Sequence, residues 1–237
     1  MTATTAAATA QTTSKYGRLF FERLWRMSGI QAVLFIIIGS VVAGFGPGVG
    51  ASSDVIGAFY ASNGTRILIA TPILGLGVLN LMWFASAIRT TLADAGLDGW
   101  GASATAASAA FGAIAFLLIA AQAGLAYTIV GSGNVAFASG LNDLGWAGVV
   151  LSSFPRAMLV MAGSFGFWRA GLISNTYFGA AVAVVILGVL GGTTWIADGF
   201  WAPDGVFSRI IWPAIGLVWV VAASRVLARV PSTRTGF

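Results

Sequence analysis

The stretch Arg66-Ile-Leu-Ile-Ala-Thr-Pro72-Ile-Leu-Gly-Leu-Gly-Val-Leu-Asn80-Leu-Met-Trp-Phe-Ala-Ser-Ala-Ile-Arg89 decides the fold, because 22 residues without a charge lie between its two arginines. About 20 apolar residues in a helix cross the ~30 Å of bilayer hydrocarbon at ~1.5 Å per residue. Around this stretch the whole chain reads alike. Of its 237 residues 58% are hydrophobic and 8% charged, and mean hydropathy is +0.91. Soluble domains carry roughly 25% charged residues, so this chain lacks the polar groups to cover a water-facing surface. That excludes a soluble globule, a disordered chain and a nucleic-acid reader, and makes the bilayer the solvent.

Five further segments are spanning candidates. They are Gly29 to Gly46, a run within Gly101 to Val130, Leu144 to Trp168, a run within Gly171 to Ala197, and Val206 to Leu227. The last is the shortest, with 15 residues between Arg209 and Arg225, and it crosses only if both arginines snorkel. The expected fold is an all-α polytopic transmembrane bundle of six spans, with five as the fallback. The expected organisation is a disordered tail over 1–14, an interfacial helix over 15–27, a membrane domain over 28–229 and a cytoplasmic tail over 230–237. Alternating the connections puts Lys15, Arg18, Arg23, Arg26, Arg89, Arg169, Arg225, Arg229 and Arg234 on one side, and Arg66 and Arg209 on the other with Asp54, Asp143, Asp198 and Asp204. Nine basic residues against two predict that both termini are cytoplasmic, and one Lys against 11 Arg points to a GC-rich bacterial genome, hence to the bacterial cytoplasmic (inner) membrane. The ~28 residues before the first apolar run exceed an ordinary signal peptide, so that span is expected to be retained.

Near the N-terminus, Tyr16, Phe20, Leu24 and Met27 fall within an arc of about 80° on a helical wheel of about 100° per residue. Arg18, Glu22 and Arg26 lie opposite, with Arg23 at the boundary. Such a helix lies at the inner leaflet, with Arg18, Arg23 and Arg26 on anionic headgroups. It serves as a juxtamembrane anchor or as a partner-binding helix.

Two zeros remove chemistry. Without Cys or His the chain has no thiol nucleophile, thiolate metal site, histidine-bound haem or Ser–His triad. All seven acids fall at span ends or in loops, and the sole lysine is Lys15. An aspartyl dyad, a retinal Schiff base and a carboxylate proton relay therefore lack their residues. No cofactor, metal site or catalytic residue is expected.

Arg156 is the one charge near the middle of a predicted span. Insertion scales set its cost at about 2.5–3.5 kcal/mol, so it should face the bundle interior and have partners. One reading is an anion site, with the guanidinium binding a carboxylate or phosphate. The other is structural: Pro155 lacks a backbone donor and frees the carbonyl of Leu151, while Ser152 and Ser153 share that turn. The other intramembrane polar residues, Gln31, Asn80 and Gln122, fit interhelical hydrogen bonding worth about 0.6–2 kcal/mol each. Small residues recur at Ala104, Ser108 and Gly112 and at Gly188 and Gly192, a spacing that lets helices approach closely. Pro72, Pro155 and Pro213 each fall in a span running outside to inside, where kinks either pack or open an outward cavity. Arg66 and Arg209 head similar runs, each with a proline and an Ile/Leu-Gly-Leu pattern a few residues on. Trp195, Asp198, Trp201 and Asp204 punctuate the last outer loop, as a headgroup belt or as a grip on a sugar or lipid headgroup.

Several of these positions occur together in a known pattern. Tyr60, Asn63 and Arg66 precede Trp83-Phe84 and Arg89; Asp143 precedes Phe154-Pro155; Trp219 precedes Ala222-Ala223-Ser224. The chain thereby resembles a group of uncharacterised small six-span bacterial membrane proteins of actinobacterial type. That resemblance implies fold and location but no activity, and Arg156 after the Phe-Pro pair departs from it. Two functions follow from the residues. One is a non-enzymatic accessory or scaffold component working with a membrane-protein partner through small-residue helix faces. The other is a small transporter or carrier for a lipid or anion, with its cavity near Arg156.

Overall fold

The computed structural model describes residues 24–132 and 137–230 together with Glu22 and Val135. Its elements are α1 (Ser28–Ala43), α2 (Ser53–Asp94), α3 (Asp98–Ser132), α4 (Ala138–Leu151), α5 (Ser153–Arg169), α6 (Asn175–Gly191) and α7 (Trp212–Arg229), the last entered through a π-helical turn, Phe207–Ile211. No strand occurs among the described residues. Four helical stretches are long and apolar enough to cross a membrane: Ser53–Asp94, Asp98–Ile129, Ala138–Arg169 and Phe207–Arg229. Helices α1 and α6 are apolar too but only 16 and 17 residues long. The predicted tails, and Arg18 and Arg23 of the predicted interfacial helix, lie outside the described residues.

Helix α2 begins 13 residues before Arg66, where a hydropathy reading could not see it. Its start is set by capping: the Ser52 hydroxyl accepts from the Val55 amide, and Asp54 sits in the first turn at the positive end of the helix dipole. The predicted fourth span is two helices joined at Ser152. Pro155 therefore stands in the first turn of α5, where a missing amide hydrogen costs little. Pro213 has the same position in α7, after the π turn, so only Pro72 is a helix-interior proline among the three.

Within lipid the hydrophobic effect does not drive helices together; close packing and buried polar bonds do. The larger core joins Phe84, Ile88 and Leu92 of α2 to Leu159 and Phe167 of α5 and Trp219 and Leu227 of α7. Phe84 meets Trp219 edge to face at 5.9 Å, and the Trp219 indole donates to Ser164 Oγ at 2.8 Å. The small residues are spent inside the bundle. Ala104, Ser108 and Gly112 are buried, and the last two face α2, where Ser108 Oγ donates to the Leu81 carbonyl at 3.5 Å. A Cβ on Gly188 would stand 2.6 Å from the Trp212 ring and 2.8 Å from Ala157, and Gly192 abuts the Phe154 ring.

Charged groups close the two ends. At one end Arg89 pairs with Asp98 at 3.5 Å, and Arg26 Nη1 donates to the carbonyls of Leu227 (3.3 Å) and Val230 while Nη2 pairs with Glu22 at 2.9 Å. The last carbonyls of a helix have no intrahelical donor and carry its negative dipole. Arg26 therefore caps α7 and is 12% exposed. The carbonyls of α7 and the Glu22 carboxylate hold its guanidinium against the protein.

Candidate functional site

Arg156 turns back on its own helices. Its Nε donates to the Ser152 carbonyl (3.2 Å), and Nη2 donates to the Val149 carbonyl (3.4 Å) and Ser153 Oγ (3.2 Å). The guanidinium lies 5.7 Å from the ring centroid of Phe111 and 5.4 Å from that of Trp212, a cation–π setting on two rings. Ser152 Oγ adds a bond to Val149 at 2.6 Å. The carbonyls it serves differ from the expected one, Leu151, because the helix parts at Ser152 and Arg156 reaches back over that joint. The cavity it touches is about 120 Å³, and its other walls are apolar, including Leu81, Leu159 and Leu217. Pro155, Ser152, Ser153 and Arg156 thus form one local unit at a helix joint.

The polar residues of the spans do less gluing than expected. Gln31 Nε2 donates to the Leu24 carbonyl at 3.3 Å and Asn80 Nδ2 to Leu76, one turn back, at 2.8 Å. Gln122 has no hydrogen-bond partner among the described residues. A helix offers its own i−4 carbonyl at no cost in approach distance, which accounts for Asn80.

A second assembly gathers at the opposite end, around the connection after α1, Gly44 to Ser52. Arg66 Nε donates to the Val42 carbonyl (2.8 Å), capping α1, and Arg209 Nη2 to the Gly46 carbonyl (2.6 Å). The Trp146 indole holds the Pro47 carbonyl (3.0 Å), Asn142 Nδ2 that of Gly48 (2.8 Å) and Ser139 Oγ that of Ala51 (3.1 Å). Asp204 accepts from the Val49 amide (3.2 Å) and Asp143 from that of Gly50 (2.9 Å). Gly50 has φ of 69°, a backbone that glycine adopts at little cost. Helices α2 and α4 and the segment leading to α7 are thereby tied to one short loop. The two arginines that head similar sequence runs do the same task here: each holds a carbonyl at or just after the end of α1.

Behind this loop lies a cavity of about 330 Å³, within the range of small-ligand pockets. Its apolar wall includes Leu74, Leu118, Leu125 and Leu141; its polar lining includes Arg209, Gln122 and Tyr60. Tyr60 is 4% exposed, and its hydroxyl has no hydrogen-bond partner among the described residues. Arg209 lies between two rings, 4.9 Å from the Phe45 centroid and 5.2 Å from that of Trp146. It forms no ion pair among the described residues. The π turn positions it: the wider turn sets Arg209 on the cavity side while its amide bonds to the Gly205 carbonyl at 2.9 Å.

In the connection between α6 and α7 the indoles bind the chain itself. Trp195 Nε1 donates to the Gly192 carbonyl and Trp201 Nε1 to that of Thr193, both at 3.2 Å, and Trp201 stacks on Phe207 at 4.5 Å. Asp198 is exposed, and Asp204 is taken up by the loop after α1. These four residues do not converge on one site.

Sequence reasoning placed Arg66, Arg209, Asp143 and Asp204 on one side, and the structure brings them to one loop. It did not single out Arg209, Tyr60, Asn142 or Trp146 as a site. The available signal was the isolation of two arginines among the acids of the poorer-charged side. No protein-family model, curated protein or solved structure matches the chain.

Proposed function

We propose that the chain is a non-enzymatic, six-span protein of a bacterial cytoplasmic membrane, with both termini in the cytoplasm, that holds a small molecule in the cavity beside Arg209. The carrying observation is that cavity: about 330 Å³, with Tyr60 and Gln122 on its lining and neither bonded to the protein among the described residues. Both side chains line the cavity, so their polar groups are open to a ligand or water bound there. The site is therefore displaced from Arg156, three of whose donors are engaged at the helix joint. The scaffold alternative drew on small-residue faces, and Ser108, Gly112, Gly188 and Gly192 spend theirs inside the bundle. The six-span reading is supported by α1 and α6, which are apolar and alternate in direction with the four longer stretches.

Two measurements test this. The natural chain has no Cys, so single cysteines report topology on a clean background. Val49→Cys and Ala197→Cys are expected to react with an impermeant maleimide added outside intact cells; Ala95→Cys and Arg229→Cys are expected to react only after lysis. Labelling of Arg229→Cys from outside would remove the sixth crossing. Native mass spectrometry from a mild detergent should give a single chain carrying a bound small molecule. A stoichiometric larger complex with an empty chain would favour the scaffold reading instead.

A further inference from the structure

We propose that the cavity beside Arg209 takes the oxyanion head of a single-chain amphiphile, with a carboxylate or phosphate on Arg209 and an apolar body against the leucine wall. This rests on the binding reading above and names the ligand class. Three features converge on it. The first is charge. Arg209 brings a guanidinium cation, and the acids Asp204 and Asp143 accept from loop amides without pairing with it. One Nη2 hydrogen bond, to the Gly46 carbonyl, leaves further donors on a guanidinium that has five N–H groups.

The second is geometry. Phe45 and Trp146 cover the guanidinium at 4.9 and 5.2 Å from their centroids. Rings at those distances hold the group in place by cation–π attraction. Tyr60, nearly fully buried and unpartnered among the described residues, adds a hydroxyl donor, and Gln122 adds an amide. A bound oxyanion accepts from all three. The third is the remainder of the lining: Leu74 of α2, Leu118 and Leu125 of α3 and Leu141 of α4 offer an apolar surface contiguous with that polar end. A bare inorganic ion uses none of it; an alkyl chain does.

The test uses the full chain in dodecyl maltoside and three probes: dodecyl phosphate, dodecanol and inorganic phosphate. Binding is read by calorimetry and by the tryptophan emission that Trp146→Phe removes. Dodecyl phosphate is expected to bind about tenfold or more tightly than either dodecanol or inorganic phosphate, the size of one charge-assisted contact. Arg209→Gln should erase the preference over dodecanol. Because Arg209 also holds Gly46, a second variant is needed: Gln122→Leu leaves the loop untouched and should weaken dodecyl phosphate several-fold with unliganded melting unchanged. Inorganic phosphate binding as tightly as dodecyl phosphate would overturn the amphiphile and leave a free-ion site. Equal binding of dodecanol, unaffected by either variant, would overturn the oxyanion while the cavity reading stands. If none of the probes binds and the chain purifies empty, both fail.

Discussion

Gly101→Val is expected to lower the stability of the bundle by about 3 kcal/mol, at the upper end of what overpacking costs. A Cβ at Gly101 would stand 2.8 Å from the Cα and 3.0 Å from the carbonyl oxygen of Arg89. Those are backbone atoms, which cannot rotate aside as a side chain does. Helices α2 and α3 meet there just beyond a tight turn, closed by the Leu97 amide on the Leu92 carbonyl at 2.8 Å and by Gly96 at φ of 73°. To admit a valine the two helices must part, and the strain runs along the seam to Ser108 on Leu81 and Gly112 on Met82. Gly124→Ala is the control: nothing lies within 4 Å of its Cβ position, so helix propensity alone acts and stability should hold or rise by up to ~1 kcal/mol. Thermal unfolding in detergent checks both. A wild-type melting curve for Gly101→Val would mean that the α2–α3 seam is looser than described.

Arg156→Met should cost about 2 kcal/mol. The cost of placing a guanidinium in the bilayer does not decide this, since the unfolded chain within the membrane bears it too. What differs between the states is the set of three hydrogen bonds to Ser152, Val149 and Ser153, and bonds from a charged donor are worth about 1.5–3 kcal/mol. Adding Pro155→Ala should return little of that loss, because Pro155 lies in the first turn of α5 and an amide there does not reach the Val149 and Ser152 carbonyls that Arg156 serves. Arg156→Lys should rescue little, because a point-like ammonium cannot span both carbonyls while lying between Phe111 and Trp212. Melting of the single and double variants gives the answer. A double variant that melts like wild type would mean that Arg156 answers to Pro155 and not to the joint at Ser152, and unchanged melting with lost ligand binding would make Arg156 a binding residue.

Hydropathy found the body of every helix and misjudged two of their ends. The first turns of α2 contain Ser53, Asp54, Ser62 and Asn63, which depress any apolar window although capping makes them helical. The break at Ser152 was invisible because Pro155, the residue that drew notice, follows it by three positions. Arg156 was legible in kind, since an intramembrane arginine beside two serines has partners at hand. Arg209 was not, because its meaning depends on a carbonyl 163 residues away. Gly46-Pro47-Gly48 read as a stop after the first span, and only the folded chain shows it clasped by side chains from elsewhere. Gln122 stood out as polar in an apolar run; whether an amide bonds a neighbour or faces a cavity is set by how helices rotate, which no single segment encodes.

The unequal helix lengths bear on the bilayer itself. Helix α1 at 16 residues and α6 at 17 reach about 24–26 Å, short of the ~30 Å hydrocarbon. Helix α1 packs chiefly against α2 and α6 chiefly against α5, so each short helix lies beside a longer helical stretch; α2 and α3 are 42 and 35 residues long. On the six-span reading the protein meets lipid with hydrophobic belts of two heights. Lipid flanking α1 and α6 is compressed and lipid beside α2 and α3 is not, at a fraction of a kcal/mol per Å. Such a mismatch gives the molecule a preferred place in any gradient of membrane thickness, and thin, short-chain bilayers suit its two short helices best.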